Sequence, residues 1–582
     1  MITAKINNIE VNVEENTTIM DAAKKIDVNI PSLCKHDDLE ATAACGICVV
    51  KVVGKKQMMR ACTTELTEGM EVLTHHPEVI QVRRTILELI LSNHPNECLT
   101  CRRNGTCELQ QLAEEFGIME ETLPIHVRDL PTDESTRAII LNPRKCIKCG
   151  RCIEICQHLQ DVWALSMLER SISTRISPAG EIGLSDSPCI RCGQCSAHCP
   201  VGAIHEYDET EEVWNALLDP KKVCIAQIAP AVRVSVGEAF GYPPGINISG
   251  QIYNTLRKMG FKAVFDTNFG ADVTIMEEAS EFAARFTNNP ETLPLITTCC
   301  PSWVDFMEKF HGDMIDYFSS CKSPHAILGV LTKTYYAETT GIDPKDIYMV
   351  SIMPCTAKKY EITRADSMYA SGAQDVDISI TTREFIRMVQ QQGIRLNDLN
   401  CLDEPDSPLG DYSGAGAIFG TTGGVMEAAL RSAYYFITGK DGNQVEFEEI
   451  RGMEGIKEMQ LTIEGREVNV AVAHGLANVE QVINRVRDAK AAGENPPYDF
   501  IEVMACPGGC IGGGGQAWNV NTEIRKKRSE GLFKLDSLRD HRLSHRNPAI
   551  IKLYNDFLGE PLSEKAHELL HTKYVQRTSY TR

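Results

Sequence analysis

The sequence predicts a multidomain protein of mixed α+β and α/β class. The chain has 582 residues, and because a single hydrophobic core rarely grows beyond about 250–300 residues, several domains are expected. Hydrophobic residues make up 43% and charged residues 24%, a composition typical of globular rather than disordered proteins. The 23 cysteines concentrate before residue 200 and then thin out, so small cysteine-rich domains should precede one large α/β domain.

The charge balance disfavours two classes of partner, and the hydropathy pattern argues against a membrane-spanning helix. With 59 basic and 79 acidic side chains the formal charge is −20, which disfavours nucleic acid and anionic membrane surfaces. No apolar run approaches the roughly 18–20 residues of a membrane-spanning helix, and the polar start is unlike a signal peptide, so we expect a cytoplasmic protein. Because disulfides do not persist in a reducing cytoplasm, the cysteines are expected to bind metal.

Residues 1–78 are expected to form a [2Fe–2S] ferredoxin-like domain. Alternating segments at 2–6 and 10–13 predict strands, and a helical pattern follows at 20–26. The candidate ligands are Cys34, Cys45, Cys48 and Cys62. Four thiolates suit a [2Fe–2S] cluster or a closed zinc site, and the single close CxxC pair favours the iron–sulfur cluster. The string resembles the N-terminal domain shared by iron-only hydrogenases and the large subunit of respiratory NADH dehydrogenase.

Residues 79–118 are expected to form a small His/Cys3 cluster domain. Apolar residues at helical spacing between Val82 and Ile90 predict a helix. The pattern HxxxCxxCxxxxxC then places His94, Cys98, Cys101 and Cys107. A lone histidine would usually lie on the surface, but this pattern resembles the His-plus-three-Cys [4Fe–4S] site of the same two families, which implies that the histidine is a ligand. A neutral imidazole makes such a cluster less negative and tends to raise its potential.

Residues 138–209 are expected to form a two-[4Fe–4S] ferredoxin-like domain. Two runs with CxxCxxCxxxC spacing match the bacterial two-cluster ferredoxins, in which the fourth cysteine of each run ligates the other cluster. One cluster is therefore assigned to Cys146, Cys149, Cys152 and Cys199. The other is assigned to Cys156, Cys189, Cys192 and Cys195. A series of one-electron clusters makes an electron path, so the first third of the chain is expected to relay electrons.

Residues 210–582 have the pattern of an α/β domain. Strand-like runs VCIAQIAP, DIYMVSIMP, DVDISITT and VNVAVAH alternate with helical stretches. Within this domain the strings TTCCPSW, MPCTAKKYE and EVMACPGGCIGGGGQ place cysteine beside proline or glycine, where backbone can approach a cluster closely. These strings resemble the three signature motifs of the [FeFe]-hydrogenases, and the order of the N-terminal modules matches the larger bacterial members. The resemblance covers essentially the whole chain.

The resemblance implies an H-cluster, a [4Fe–4S] cluster joined to a diiron subsite with carbonyl, cyanide and bridging azadithiolate ligands. Its implied protein ligands are Cys300, Cys355, Cys506 and Cys510, the last of which also bridges to the diiron subsite. Positions that match residues lining the diiron pocket are Pro230, Ala231, Ser323, Pro324, Met353, Phe419 and Met504. Lys358 matches the lysine that donates to a cyanide ligand. Its neighbour Lys359 is expected to be exposed.

A proton path is also implied. Cys299 matches the residue that passes protons to and from the bridging amine of the diiron subsite. The path continues through positions that match Glu278, Ser319, Glu281 and Arg285. A pair of glutamates three residues apart is usually a solvated helix face, but the resemblance places Glu278 inside and Glu281 near the surface. A buried glutamate should have a raised pKa.

The expected reaction is the reversible conversion of H2 to two protons and two electrons, relayed through one [2Fe–2S] and three [4Fe–4S] clusters. Maturation proteins would have to build the diiron subsite. The expected electron partner is an NAD(P)-binding flavoprotein subunit, with or without ferredoxin. Because SGAGAIFGTTGG misses the GxGxxG spacing, nucleotide binding is assigned to another subunit.

Three alternatives remain open from the sequence. A stand-alone, ferredoxin-linked hydrogenase would carry the same N-terminal modules. A sensory relative would keep the cysteines but turn over poorly, and the presence of Cys299, Lys358 and both pocket methionines argues against it. The large subunit of an NADH dehydrogenase shares the N-terminal domains, but the three cysteine strings of the large domain argue against that assignment.

Overall fold

The structure is a computed structural model in which residues 1–120, 123–518 and 520–580 are described. At the amino terminus, helix α1 (Ile19–Lys24) packs on a mixed sheet. The strands of this sheet are β1 (Ile2–Ile6), β2 (Ile9–Val13), β3 (Val49–Val52), β4 (Met59–Arg60) and β5 (Glu71–Leu73). They are ordered β2-β1-β5-β3-β4. Thr18 begins the helix, because its hydroxyl accepts the backbone N–H of Asp21 at 3.1 Å.

Two helices, α2 (Pro77–Leu91) and α3 (Glu108–Glu115), flank the second cysteine group. Proline occupies the first turn of α2, where its missing N–H costs no hydrogen bond. On the buried face of α2, Arg83 donates to the carbonyl oxygen of Val49 at 2.8 Å. This bond fixes the second cysteine domain against strand β3 of the first.

The third cysteine region consists of two similar halves. Its elements are β6 (Ile139–Leu141), α4 (Arg151–Glu154), β7 (Ser166–Leu168), β8 (Arg175–Ser177), α5 (Gln194–His198) and β9 (Ile204–Glu206). Strands β6 and β9 pair antiparallel, as do β7 and β8. Helices α4 and α5 each follow a glycine with positive φ, Gly150 at 85° and Gly193 at 71°.

The large domain contains two four-stranded sheets. Its strands are β10 (Val223–Ile228), β11 (Ala263–Asp266), β12 (Leu295–Ile296), β13 (Ile347–Met353), β14 (Ile378–Thr381), β15 (Ile456–Ile463), β16 (Arg466–His474) and β17 (Phe500–Met504). The parallel sheet β11-β10-β13-β14 and the mixed sheet β12-β17-β16-β15 confirm the predicted α/β class. Within the described residues of these two sheets, the β15–β16 hairpin is antiparallel and the other strand pairs are parallel. The four strand-like runs of the sequence are β10, β13, β14 and β16.

Helices cover both sheets. They are α6 (Thr210–Leu218), α7 (Ser249–Met259), α8 (Thr267–Asn288), α9 (Pro301–Phe310), α10 (Pro324–Leu331), α11 (Ala337–Thr340), α12 (Lys358–Glu361), α13 (Thr382–Gln392), α14 (Gly414–Ala417), α15 (Gly424–Thr438), α16 (Leu476–Ala491), α17 (Thr522–Ser537), α18 (Pro548–Leu553) and α19 (Glu564–Leu570). Helix α8 is buried along most of its length and packs on α10 and α15. Among the described residues, no helix combines the length and apolarity needed to cross a membrane.

The glycine-rich segment 413–424 serves close packing. A Cβ atom added to Gly416 would lie 2.4 Å from the carbonyl oxygen of Asn268 on α8, so only glycine fits this contact. The cysteine-rich domains and the large domain also share one hydrophobic core, in which Ile155 packs in the same cluster as Trp303 and Val503. The cysteine-rich domains are therefore held firmly against the large domain.

Candidate functional site

Three cysteine-bearing loops meet between the two sheets. Each loop follows the carboxyl end of a parallel strand, β12, β13 or β17. In the first loop Cys300 is the N-cap of α9, and Pro301 occupies the first helical position. The third loop turns through Gly508 and Gly509, whose φ angles of 73° and 91° favour glycine. These turns place its two cysteines on one side.

Two further glycines allow the third loop to touch its neighbours. A Cβ atom on Gly513 would lie 2.1 Å from the carbonyl oxygen of Pro354 in the second loop. One on Gly514 would lie 2.1 Å from the carbonyl oxygen of Cys192 in the two-cluster domain. The glycine run of the third string therefore brings the loops together and connects them to the domain that contains Cys192.

The loops enclose a cavity with Cys299, Cys300, Cys355, Cys506 and Cys510 in its wall. Burial raises the pKa of the Cys355 thiol to about 12, and burial together with the neighbouring thiols raises the pKa of Cys510. Thiols in such surroundings ionise when a metal ion takes up their charge. Soft sulfur donors converging on one buried cavity fit an iron–sulfur cluster.

Five of the predicted pocket residues also line this cavity: Pro230, Pro324, Met353, Phe419 and Met504. Two lie behind its wall. Ala231 packs in a small apolar cluster with Leu532, and the hydroxyl of Ser323 donates to Glu361 at 3.0 Å. The wall also contains Thr267 and Ala271 from the first turns of α8, which no sequence motif marks.

Lys358 points its ammonium group into the wall of the cavity. Its Nζ donates to Oε2 of Glu361 at 2.7 Å and to the carbonyl oxygen of Cys299 at 3.3 Å. The same carboxylate oxygen lies 2.6 Å from Nε2 of His325, another lining residue. Burial opposes ionisation of Glu361, but Lys358 and His325 hold the pKa of that carboxyl well below its usual range. The cavity is thus flanked by a positively charged group with a fixed position.

The prediction that Lys359 is exposed is wrong. Its side chain is 1% exposed, and its Nζ donates to Glu209 at 2.6 Å, to Glu384 at 2.9 Å and to the carbonyl oxygen of Ser379 at 2.8 Å. The short helix α12 turns the two adjacent lysines in different directions. Lys358 faces the cavity, and Lys359 joins the helix to β14 and α13.

The residues of the predicted proton path lie along α8 and on the segment around Ser319 that faces this helix. Glu278 is fully buried, and burial raises its pKa to about 8. The Ser319 hydroxyl faces the Glu278 carboxyl group and partly offsets the rise in its pKa. The two groups form no hydrogen bond of normal geometry. Glu281, one turn further on, accepts a hydrogen bond from Arg285 at 2.6 Å and is 13% exposed. The glutamates therefore form an inner and an outer position.

Cys299 lies between this path and the cavity. Burial, the charge of Glu278 and the adjacent Cys300 raise the pKa of its thiol well above the usual range. At neutral pH both the thiol and Glu278 are protonated, so each can pass a proton to a stronger base. The arrangement leads from the cavity wall to the surface near Arg285.

The predicted relay ligands are grouped in four places. One cavity is lined by Cys146, Cys149, Cys152 and Cys199. A second is lined by Cys156, Cys189, Cys192 and Cys195. A third is lined by His94, Cys98, Cys101 and Cys107. In the first domain, Sγ of Cys48 lies 3.4 Å from Sγ of Cys62, while Ser32 Oγ lies 3.9 Å from Cys34 Sγ and 4.0 Å from Cys45 Sγ.

His94 has the form of a metal ligand. Burial lowers its pKa to about 4, so the imidazole is neutral at physiological pH. Its Nδ1 is buried without a hydrogen-bond partner among the described residues. A neutral ring with an open nitrogen beside three cysteines fits a metal site.

Contacts between the cysteine groups show the order in which they lie relative to the central cavity. Gln194 beside Cys195 donates to the carbonyl oxygen of Gly512 at 2.9 Å, which places that group next to the central cavity. Thr42 of the first domain donates to the carbonyl oxygen of Cys149 at 3.2 Å. A Cβ atom on Gly202 would lie 2.5 Å from Sγ of Cys101. The first and second cysteine groups therefore both approach the group that contains Cys149 and Cys199.

Family models match nearly the whole chain. Residues 222–514 match the iron-only hydrogenase large subunit, C-terminal domain, and residues 522–577 match the iron hydrogenase small subunit. Residues 1–77 match a 2Fe-2S iron-sulfur cluster binding domain, and residues 145–203 match a 4Fe-4S dicluster domain. Residues 83–122 match the iron-sulfur binding region of NADH-ubiquinone oxidoreductase-G.

Individual relatives agree with these matches. The chain is 44% identical over 589 residues to the NADP-reducing hydrogenase subunit HndD of Solidesulfovibrio fructosivorans, covering 99% of each protein. It is 38% identical over 583 residues to iron hydrogenase 1 of Clostridium pasteurianum, covering 99% of this chain and 100% of that protein. A solved structure of [FeFe]-hydrogenase HydA1 from Chlamydomonas reinhardtii aligns with TM-score 0.56 and 42% identity over 64% of this chain and all of that one.

Proposed function

This chain belongs to the iron-only, or [FeFe], hydrogenase family and is an oxidoreductase of that kind; we propose that it is a catalytic subunit converting H2 reversibly to two protons and two electrons at an H-cluster. The observation that carries the proposal is the buried cavity that collects Cys299, Cys300, Cys355, Cys506 and Cys510 beside Lys358. Cysteines at these positions supply soft metal ligands and a proton carrier in one buried cavity that excludes water.

We assign the cluster-holding residues from the family resemblance, and their position around one cavity supports the assignment. Cys300, Cys355, Cys506 and Cys510 would hold the [4Fe–4S] part of the H-cluster, with Cys510 shared with the diiron subsite. When bound, this group supplies an open iron position at which H2 is split or formed. The sixteen relay ligands named from the sequence would hold one [2Fe–2S] and three [4Fe–4S] clusters, since they are grouped in four places.

The protein's own residues then position groups, exclude water and move protons. The ammonium of Lys358 supplies a fixed donor for an anionic ligand in the cavity. Apolar side chains at Met353, Phe419 and Met504 keep water out of it. Cys299 carries a proton between the cavity and Glu278, and Ser319 and Glu281 continue the path toward Arg285 at the surface.

Electrons are proposed to leave through the group nearest the cavity. This group contains Cys192 and Cys195, because Gln194 binds the third loop directly. The next group contains Cys149 and Cys199, where contacts from the first and second domains meet. The relay is therefore branched, and the [2Fe–2S] and His-containing groups are two possible points of entry or exit.

We propose an NAD(P)-binding flavoprotein subunit as the electron partner, with or without ferredoxin. The full-length similarity to a subunit of an NADP-reducing hydrogenase supports this choice. A stand-alone, ferredoxin-linked enzyme is the second candidate, because the similarity to iron hydrogenase 1 also spans the whole chain. We also propose a cytoplasmic location, because cysteines that serve as metal ligands must stay out of disulfides, which a reducing compartment favours.

The test is H2-dependent reduction of NAD+, NADP+ and ferredoxin by protein isolated anaerobically under mild conditions that retain partner subunits. Reduction of NAD(P)+ by the complex, but not by the isolated chain, is the expected result. Reduction of ferredoxin by the isolated chain at the rate of the complex would favour the stand-alone enzyme. Failure to reduce any acceptor, including an artificial dye, would contradict catalytic function and favour a sensory role.

A further inference from the structure

Arg103 is a buried arginine in the wall of the cavity that contains His94. Only 2% of it is exposed. Its Nε and Nη1 atoms are buried and have no hydrogen-bond partner among the described residues. Glu108, the carboxylate that acts on it most strongly, is already held by Arg151 through two hydrogen bonds of 2.7 and 2.8 Å. The protein therefore places a positive charge here whose N–H groups are left open.

A second arginine in the same environment shows the contrast. The guanidinium groups of Arg103 and Arg383 both stack on the ring of Trp518, at 3.8 and 4.0 Å from its centroid. Arg383 is neutralised, because its Nε donates to the buried carboxylate of Glu206 at 2.8 Å. For Arg103 the cation–π contact compensates only part of the cost of burying a charge. A negative group at the site would supply the rest.

The thiols around Arg103 belong to two of the proposed cluster sites. Cys101 and Cys107 line the same cavity. Cys199 begins the loop in which a Cβ atom on Gly202 would lie 3.8 Å from Cβ of Arg103. Burial lowers the pKa of Arg103, and the charge of Cys199 is the largest opposing effect. Thiols that bind iron lose their protons, so a bound cluster makes these surroundings negative.

We propose that Arg103 is the counter-ion of the [4Fe–4S] cluster of the second cysteine group and raises its reduction potential. This inference rests on the proposed assignment of that group as cluster ligands: His94, Cys98, Cys101 and Cys107. A reduced cluster carries one more negative charge than an oxidised one, so a fixed cation stabilises the reduced form. Lys145 also lines the cavity, but it is only half-buried and water screens its charge.

The position of Arg103 favours electron transfer toward the second cysteine group. Because Arg103 lies in the wall of that group's cavity, its effect there should exceed its effect on the cluster that Cys199 helps to hold. The neutral imidazole of His94 acts in the same direction. Each step moves one electron between two clusters, and Arg103 keeps its proton throughout, since a guanidinium does not titrate in proteins.

The test is a redox titration of the anaerobically purified holoenzyme, followed by electron paramagnetic resonance. The signal of this cluster is identified as the one that changes in His94→Cys, which replaces a neutral ligand with a thiolate. Arg103→Gln removes the charge but keeps an N–H donor. We expect it to lower the ratio of reduced to oxidised cluster at a fixed potential by about tenfold or more, which for one electron is about 59 mV or more.

Two further variants separate charge from packing. Arg103→Lys keeps the charge but not the planar fork, and it should restore most of the potential. The matched control is Arg102→Gln at the neighbouring position. The side chain of Arg102 is 44% exposed and pairs with Asp208 at 2.5 Å, so water and this carboxylate screen its charge. The control should leave the potential and the iron content at wild-type values.

The outcomes distinguish the counter-ion role from its alternatives. A lower potential in Arg103→Gln that Arg103→Lys largely reverses supports it, as does loss of this cluster from Arg103→Gln alone. An unchanged potential in Arg103→Gln overturns it. Equal shifts, or cluster loss, in both variants also overturn it, because stacking on Trp518 rather than charge would then be responsible.

The His94→Cys variant tests the premise separately. If no cluster signal changes in it, His94 is not a ligand, so the proposed assignment is wrong and the role of Arg103 fails with it. If a signal does change in His94→Cys but stays at the wild-type potential in Arg103→Gln, the assignment stands and only the counter-ion role fails. Should Arg103→Gln not fold, Arg103→Lys decides alone, since a tenfold or larger shift with the charge retained would contradict the role.

Discussion

Replacing Glu278 with glutamine should stop proton transfer without disturbing the metal sites. The carboxyl is fully buried, and burial raises its pKa from the ordinary value of 4.5 to about 8. One pKa unit corresponds to 1.36 kcal/mol, so ionising Glu278 in the folded protein costs about 5 kcal/mol more than in water. At pH 7 the protonated form is therefore favoured about tenfold, and the group is ready to donate a proton.

Glutamine has nearly the same shape but cannot release and regain a proton. We expect Glu278→Gln to lower H2 evolution by ~10²–10⁴-fold, which corresponds to a barrier higher by about 3–5 kcal/mol. The assay is H2 evolution from a reduced viologen dye, combined with iron content and electron paramagnetic resonance of the clusters. Both cluster measurements should match the wild type, because Glu278 is no cluster ligand.

The pH dependence has a definite direction. Because the pKa of Glu278 is raised, its protonated form persists up to about pH 8, and H2 evolution that depends on it should fall as pH rises through that value.

Glu291→Gln, at an exposed position just after α8, is the matched control for Glu278→Gln and should leave the rate unchanged. A Glu278→Gln variant that keeps more than about a tenth of wild-type turnover would show that proton transfer does not depend on this carboxyl.

Three other predictions concern separate parts of the molecule. Cys299→Ala should retain its iron but lose nearly all turnover, because the thiol between the cavity and Glu278 is removed. Near-normal H2 evolution would eliminate the proposed relay role. Protein produced without maturation proteins should contain [4Fe–4S] clusters by electron paramagnetic resonance but show no H2 activity; activity in that preparation would contradict the requirement for a separately built diiron subsite. Lys359→Ala should destabilise the folded protein by about 3–5 kcal/mol, because it leaves Glu384 buried without its cation. The control Lys345→Ala, at an exposed position, should change the midpoint of thermal unfolding little. Equal midpoints for the two variants would show that the buried ion pair does not stabilise the protein.

The sequence predicted the fold class, and it marked the cysteine groups that the structure brings together. Ligand spacing is local in sequence, so the runs around Cys146 and Cys189 reveal their pattern without a structure. Buried parallel strands such as β10 and β13 are also short apolar runs that can be recognised directly.

Other features depend on contacts between distant parts of the chain. Thr267 lines the cavity only because α8 begins there, and nothing in the local sequence marks it. Lys359 appeared to be a surface neighbour of Lys358, but Glu209 and Glu384, which neutralise it, lie far away in sequence. The contact between Ser320 and His571 joins residues 251 positions apart in the sequence. Periodicity and spacing carry no information about such pairs.

We propose that this chain forms an active H-cluster in the cavity that contains Cys299, Cys355 and Cys510. The most direct measurement is H2 oxidation and evolution with a viologen dye by anaerobically matured protein, together with infrared spectra of carbonyl and cyanide ligands on iron. We expect turnover in both directions and these ligand bands, with both lost in Cys355→Ala. Fully matured protein that shows the bands but no turnover, or neither, would contradict the assignment of an active H-cluster to this cavity.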